Sequence, residues 1–128
     1  MAVCSQRILI VEDDPDQANK IGAVLGRAGF RVDFASDGQE ALSKIRSTPP
    51  DLVVLDAMLP KLGGFQLARL LKFDPKCKKI PILMLTVLDR LTDKEKSSEV
   101  GIDAYLTKPM KDEVLLEAIA KLLPASAA

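Results

Sequence analysis

The chain has 128 residues, enough for one domain with a core of its own but not for two. Eighteen basic and eighteen acidic residues cancel, so the overall charge gives no support for DNA, RNA or an anionic membrane as a direct ligand. No apolar stretch approaches the ~20 residues that cross a bilayer, and the N-terminus lacks the pattern of a signal peptide, which points to a soluble cytoplasmic protein.

Strand and helix signals alternate along the whole length. Residues 7–11 are almost continuous Ile, Leu and Val, as in a central parallel strand buried on both faces, and they run into Glu12 and Asp13. Asp14 suits the cap of a helix starting near Pro15, with Ala18, Ile21, Val24, Leu25 and Ala28 as its apolar stripe and Gly29 as a left-handed cap. Residues 31–35 alternate in polarity, which predicts a strand nearer an edge. Asp37 and Glu40 have capping-box spacing ahead of Ala41, Leu42 and Ile45, so a second helix begins there.

Residues 52–55 form another apolar run ending in Asp56, followed by a loop whose Pro60, Gly63 and Gly64 suit fixed or positive φ. Leu67, Ala68 and Leu71 make part of a third helical stripe. Cys77, in a lysine-rich loop, and Cys4 read as free thiols in a reducing cytoplasm. Pro81 stands at the start of the run 82–85, which ends in Thr86.

Residues 93–99 have almost no stripe beyond Leu91 and Val100, so a fourth helix there is expected to be weakly held. The short, mixed run 102–107 suits the opposite edge and leads into Lys108-Pro109. Val114, Leu115, Ala118, Ile119 and Leu122 define the last helix; Leu116 and Leu123 lie beyond that stripe, an apolar excess suited to a dimer or an output domain. One domain over 1–128 is expected, with a core at about 7–123 and a frayed tail over 124–128. Five strand-helix units imply an α/β parallel sheet with helices on both faces.

In such a sheet the carboxyl ends of the strands lie side by side, and ligand sites form there. That places Glu12, Asp13, Asp56, Thr86 and Lys108 at one point. Two carboxylate charges ~4 Å apart repel by about 4 kcal/mol at an effective dielectric of 20, so the cluster binds either protons or a cation. With no histidine in the chain, a hard divalent ion that shares a phosphate, Mg²⁺ or Mn²⁺, is favoured over zinc. A carboxylate so held is able to attack a phosphoryl group, and Lys108 would supply a point charge for the phosphoryl oxygens. The bland alternatives are helix capping by the 12–14 acids and, for Thr86, a β-branched residue finishing a strand.

The sequence Ile-Leu-Ile-Val-Glu-Asp-Asp, then 51–56, Pro60, Gly64, Leu85-Thr86 and 105–109, resembles the CheY-like receiver domain of two-component response regulators from about Arg7 to about Leu123. The resemblance implies a flavodoxin-like, three-layer (βα)5 fold with strand order 2-1-3-4-5. It implies that Asp56 is phosphorylated by a sensor histidine kinase or a phosphotransfer protein in a Mg²⁺-dependent reaction. Asp13 and Asp56 would ligate the metal directly, the backbone carbonyl of Met58 would complete the protein's share, and Glu12 would act largely through a water. Thr86 would move toward the phosphoryl group, Tyr105 would be the switch aromatic, and Pro109 would follow a cis bond.

The signal would leave through the face of the fourth helix, fifth strand and fifth helix, to a partner, a second copy or an output domain outside this chain. Two departures from the pattern stand out. Val87 restricts the space open to Tyr105, and Met58 and Leu88, both apolar, flank the hydrolytic water and imply slow self-dephosphorylation. Other readings of the same residues are a metal-dependent phosphohydrolase, a pseudo-receiver that only docks, and a flavin carrier. The last suffers from the absence of tryptophan. For Tyr105 the alternative is a half-buried edge tyrosine with a wet hydroxyl.

Overall fold

The computed structural model describes residues 6–59, 63–87 and 102–123. Five strands, β1 (Arg7–Val11), β2 (Arg31–Ala35), β3 (Leu52–Asp56), β4 (Ile82–Val87) and β5 (Ala104–Lys108), form one sheet in the order β2-β1-β3-β4-β5. Every neighbouring pair is parallel. Three helices, α1 (Pro15–Arg27), α2 (Gly38–Ser47) and α3 (Gly64–Phe73), connect or flank them, and a last helix spans Asp112–Leu122.

The near-continuous apolar runs follow from burial of both sheet faces. Leu9, Val11, Val53, Leu55, Ile82 and Met84 point toward α2 and α3, where they meet Ile45, Leu67 and Leu71. Ile8, Ile10, Leu52, Val54, Leu83 and Leu85 point the other way, onto Leu25, Leu115 and Ile119 of α1 and the last helix. At the edge, β2 alternates between exposed and more covered positions until Ala35. No helix among the described residues is long and apolar enough to cross a membrane.

Asp14 caps α1 as expected, accepting from Asp16 N at 3.0 Å, and Gly29 takes φ +100°, the left-handed region. The α1 stripe differs by two residues: Ala28 is exposed, and Gly22 is buried instead. A Cβ on Gly22 would lie 2.6 Å from Phe34 Cζ, so the helix seats on β2 by omitting a side chain there. At α2, Asp37 Oδ1 accepts from Glu40 N at 2.8 Å, while Glu40 Oε1 reaches Ser36 N at 2.8 Å, one residue before the cap.

The fifth strand begins two residues later than the predicted run and includes Lys108. Asp103 is held back by its side chain, whose Oδ2 accepts from Ile82 N at 2.8 Å and Lys72 Nζ at 3.1 Å. The expected apolar excess on the last helix is taken up inside the fold: Leu123 is buried and Leu116 packs on the same cluster, whereas Val114, assigned to the stripe, is 42% exposed. Cys77 is a buried free thiol, pushed up from its ordinary pKa by burial and by Asp74. Cys4, Pro60, Leu88, the predicted helix over 93–99 with its anchors Leu91 and Val100, and the tail 124–128 lie outside the described residues.

Candidate functional site

The ends of β1, β3, β4 and β5 meet because the ladder registers place them in step. Val11 pairs with Leu55, Asp56 with Leu85, and Val87 with Lys108. Backbone bonds carry the ladder past the strand ends: Glu12 N donates to Ala35 O at 3.0 Å and Ala57 N to Leu85 O at 2.9 Å.

Glu12 is 5% exposed, Asp56 7% and Thr86 3%, and Asp13 is exposed beside them. One carboxylate oxygen from each of Glu12, Asp13 and Asp56 lies within 4.8 Å of the others, a set able to hold a hard cation. Lys108 Nζ donates to Asp56 Oδ2 at 3.0 Å, to Glu12 Oε1 at 3.1 Å and to Gln17 Oε1 at 2.9 Å. The other Asp56 oxygen, Oδ1, accepts from Met58 N at 2.9 Å, and the Met58 side chain is 52% exposed. Among the described residues Thr86 Oγ1 is buried with no hydrogen-bond partner, an uncompensated group that an incoming oxygen ligand would satisfy.

The electrostatics follow from burial and crowding. Burial, then a hydrogen bond with Asp56 and its charge, raises the Glu12 pKa from 4.5 to about 7, against the Asp14 backbone and Lys108, which act the other way. For Lys108, burial opposes the charge, but the hydrogen bond and charge of Asp56 and those of Glu12 more than offset it and hold the ammonium above its ordinary value. The Lys108–Pro109 peptide is cis, as the resemblance implied.

Tyr105 is partly buried on the α2–α3 face of the sheet. It pairs with Met84 while Thr107 pairs with Thr86, so Thr86 and Tyr105 are diagonal neighbours on one face. The described candidate residues Glu12, Asp13, Asp56, Met58, Thr86 and Lys108 therefore lie at the carboxyl ends of these strands, and Tyr105 stands further back along β5, diagonal to Thr86.

Two residues have parts that the sequence did not reveal. Gln17, one turn into α1, touches Lys108 directly; its place three residues after the Asp14 cap was the available signal. Gly64 was expected for its backbone freedom, yet among the described glycines only Gly29 has positive φ. What matters at Gly64 is the missing Cβ, which would stand 2.5 Å from the Asp56 carbonyl oxygen and 3.0 Å from Ala57 Cα.

The family model described as the response regulator receiver domain matches residues 8–120. The chain belongs to this family. Protein PilH of Pseudomonas aeruginosa is 38% identical over 117 residues, covering 91% of this chain and 97% of PilH. The chemotaxis response regulator CheY4 of Vibrio cholerae superposes with a TM-score of 0.88 at 30% identity, covering 94% of this receiver and all of that chain, 100%. The receiver domain of sensor histidine kinase PA1611 from Pseudomonas aeruginosa PAO1, solved with a magnesium ion in its active-site cleft, gives a TM-score of 0.86 at 30% identity over 93% of this chain and 98% of that one. Two other curated relatives, each 40% identical, are longer, and the chain spans 48% and 15% of their lengths. The fold is thus the flavodoxin-like, CheY-like receiver fold of two-component signalling.

Proposed function

We propose that this receiver accepts a phosphoryl group on Asp56 from the phosphohistidine of a sensor histidine kinase or a phosphotransfer protein, and that the modified domain acts as a switch. The observation that carries this reading is a buried carboxylate with a lysine ammonium 3.0 Å from it, beside the end of β4, where the buried Thr86 hydroxyl has no hydrogen-bond partner among the described residues. A carboxylate oxygen of Asp56 attacks phosphorus, the P–N bond of the donor breaks, and the imidazole nitrogen keeps the electron pair and takes a proton. Lys108 and Thr86 donate to the oxygens of the transferred group. The only catalysis is self-directed, with the chain as its own substrate.

The donor set fits a resident Mg²⁺ or Mn²⁺: three clustered carboxylates, with no histidine in the chain to favour a softer metal. Asp13, Asp56 and the Met58 carbonyl would hold it, with Glu12 acting through water. When bound, the ion supplies positive charge to the phosphoryl oxygens and relieves the crowding of the acids. The exposed, apolar Met58 offers no hydrogen bond to a hydrolytic water, in keeping with a long-lived acyl phosphate.

Thr86 moving toward the phosphoryl group would vacate space on the face that Tyr105 shares, shifting two surface shapes in population. That surface, at the β5 edge, would meet a partner, a second copy or an output domain in the cytoplasm. Residues 7–123 would suffice as the signalling unit.

Incubation with acetyl phosphate and Mg²⁺ tests the reading. One acid-stable, hydroxylamine-labile phosphoryl group per chain is expected, lost in Asp56→Asn and decaying slowly in the native protein. Many turnovers of phosphate release per chain would favour the phosphohydrolase instead.

A further inference from the structure

A lysine ammonium has three protons, and among the described residues three oxygens face Lys108: Gln17 Oε1 at 2.9 Å, Asp56 Oδ2 at 3.0 Å and Glu12 Oε1 at 3.1 Å. Two of these belong to the buried acid cluster. The third is an uncharged amide on the exposed surface of α1, outside that cluster. The other end of the same amide, Gln17 Nε2, donates to Asp14 Oδ2 at 3.2 Å, and Asp14 N donates to Glu12 Oε2 at 3.2 Å. Lys108, Gln17, Asp14 and Glu12 therefore close a ring of hydrogen bonds. Gln17 fills its link by turning an acceptor to a cation and a donor to an anion, a task that neither a carboxylate nor an apolar side chain performs at both ends.

The Gln17 contact matters because the two carboxylates that face Lys108, Asp56 and Glu12, do not keep their roles through the reaction. Under the phosphoacceptor reading, on which this inference rests, Asp56 gives an oxygen to phosphorus and both acids face a cation that competes with Lys108 for them. A lysine head on a flexible four-carbon stem is then free to wander, and misplacement of a transition-state donor slows the step it serves. Gln17 is the one acceptor of the three that neither event alters.

We propose that Gln17 is a positioning residue, holding the Lys108 ammonium beside Asp56 while the carboxylates are engaged. Its link to the Asp14 cap fixes the amide in turn, so the start of α1 sets the placement of the lysine. Gln17 touches no reacting atom itself.

The test compares native chain, Gln17→Met, which keeps the length but neither polar end, and Gln17→Glu, which keeps the acceptor toward Lys108 while setting a like charge against Asp14. With acetyl phosphate and Mg²⁺, Gln17→Met is expected to label Asp56 about three- to tenfold more slowly, the loss of one hydrogen bond, and Gln17→Glu to stay within about twofold of native. A second readout needs no turnover: in [¹⁵N]lysine-labelled protein loaded with Mg²⁺ and no phosphodonor, the Lys108 Nζ resonance is expected to be sharp in the native and Gln17→Glu chains and lost by fast exchange in Gln17→Met. Equal labelling rates with an unchanged Nζ resonance in Gln17→Met would overturn the proposal, as would a slower rate in Gln17→Glu than in Gln17→Met, which would put the amide's importance at the Asp14 end. A native chain that takes up no label sinks the phosphoacceptor reading, and this inference with it; a labelled native chain with indifferent Gln17 variants sinks the inference alone.

Discussion

Glu12 shows how a single buried acid ties folding to proton concentration. Its pKa is raised by burial first and by Asp56 second, from 4.5 to about 7, so the folded state binds a proton more readily than the unfolded one. The stability it contributes is fully present below about pH 4.5 and is lost as the pH climbs through about 7. In chelator-treated protein, thermal melting is therefore expected to fall over that window, and Glu12→Gln to flatten the slope. Parallel melting curves for the two proteins across the window would rule this out. At the same scale, Glu12, Asp13, Asp56, Thr86 and Lys108 were legible from the sequence because strand ends in a parallel sheet share one edge, whereas Met58 and Tyr105 came from the family resemblance. For Gln17 the spacing from the Asp14 cap signalled only a helix start; its contact with Lys108 shows only once the lysine from β5 is seen beside it.

Elements depend on caps and on omitted side chains as much as on stripes. The α2 helix is started by Asp37, whose carboxylate accepts from Glu40 N at 2.8 Å, while the Ser36 backbone and hydroxyl hold Glu40 below its ordinary pKa. Replacing Asp37 with Ala is expected to cost about 1 kcal/mol, read as a lower urea midpoint with an unchanged slope. An unchanged midpoint would mean that packing of Ala41 and Ile45 alone nucleates the helix. The capping pair was readable because its spacing is a property of the local backbone. Gly22 and Gly64 resisted reading for the opposite reason: each is required by a neighbour distant in sequence, Phe34 for one and the Asp56 carbonyl for the other. The start of β5 was misjudged likewise, because Asp103 spends its carboxylate on Ile82 N and Lys72.

On the scale of the whole molecule, alternating apolar runs and helical stripes sufficed for a parallel sheet, whereas the order β2-β1-β3-β4-β5 came from the family resemblance and is borne out by the ladders. Periodicity says which residues are inside, not which strand sits beside which. The last helix illustrates the limit: a stripe drawn from spacing included Val114 and left out Leu123, while packing on the Leu25 side of the sheet buries Leu115, Ile119 and Leu123.

The distribution of the site along the chain has its own outcome. Glu12 and Lys108 are 96 positions apart yet share a hydrogen bond, with Asp56 between them in sequence and Thr86 on a further strand. No excised hairpin or helical fragment can own the chemistry; it exists only while the entire ladder is closed. Acyl-phosphate formation is thus expected to report global cooperativity: in a urea series, the labelled fraction should track the circular-dichroism transition, and label surviving past that midpoint would reveal a partly melted form that still works.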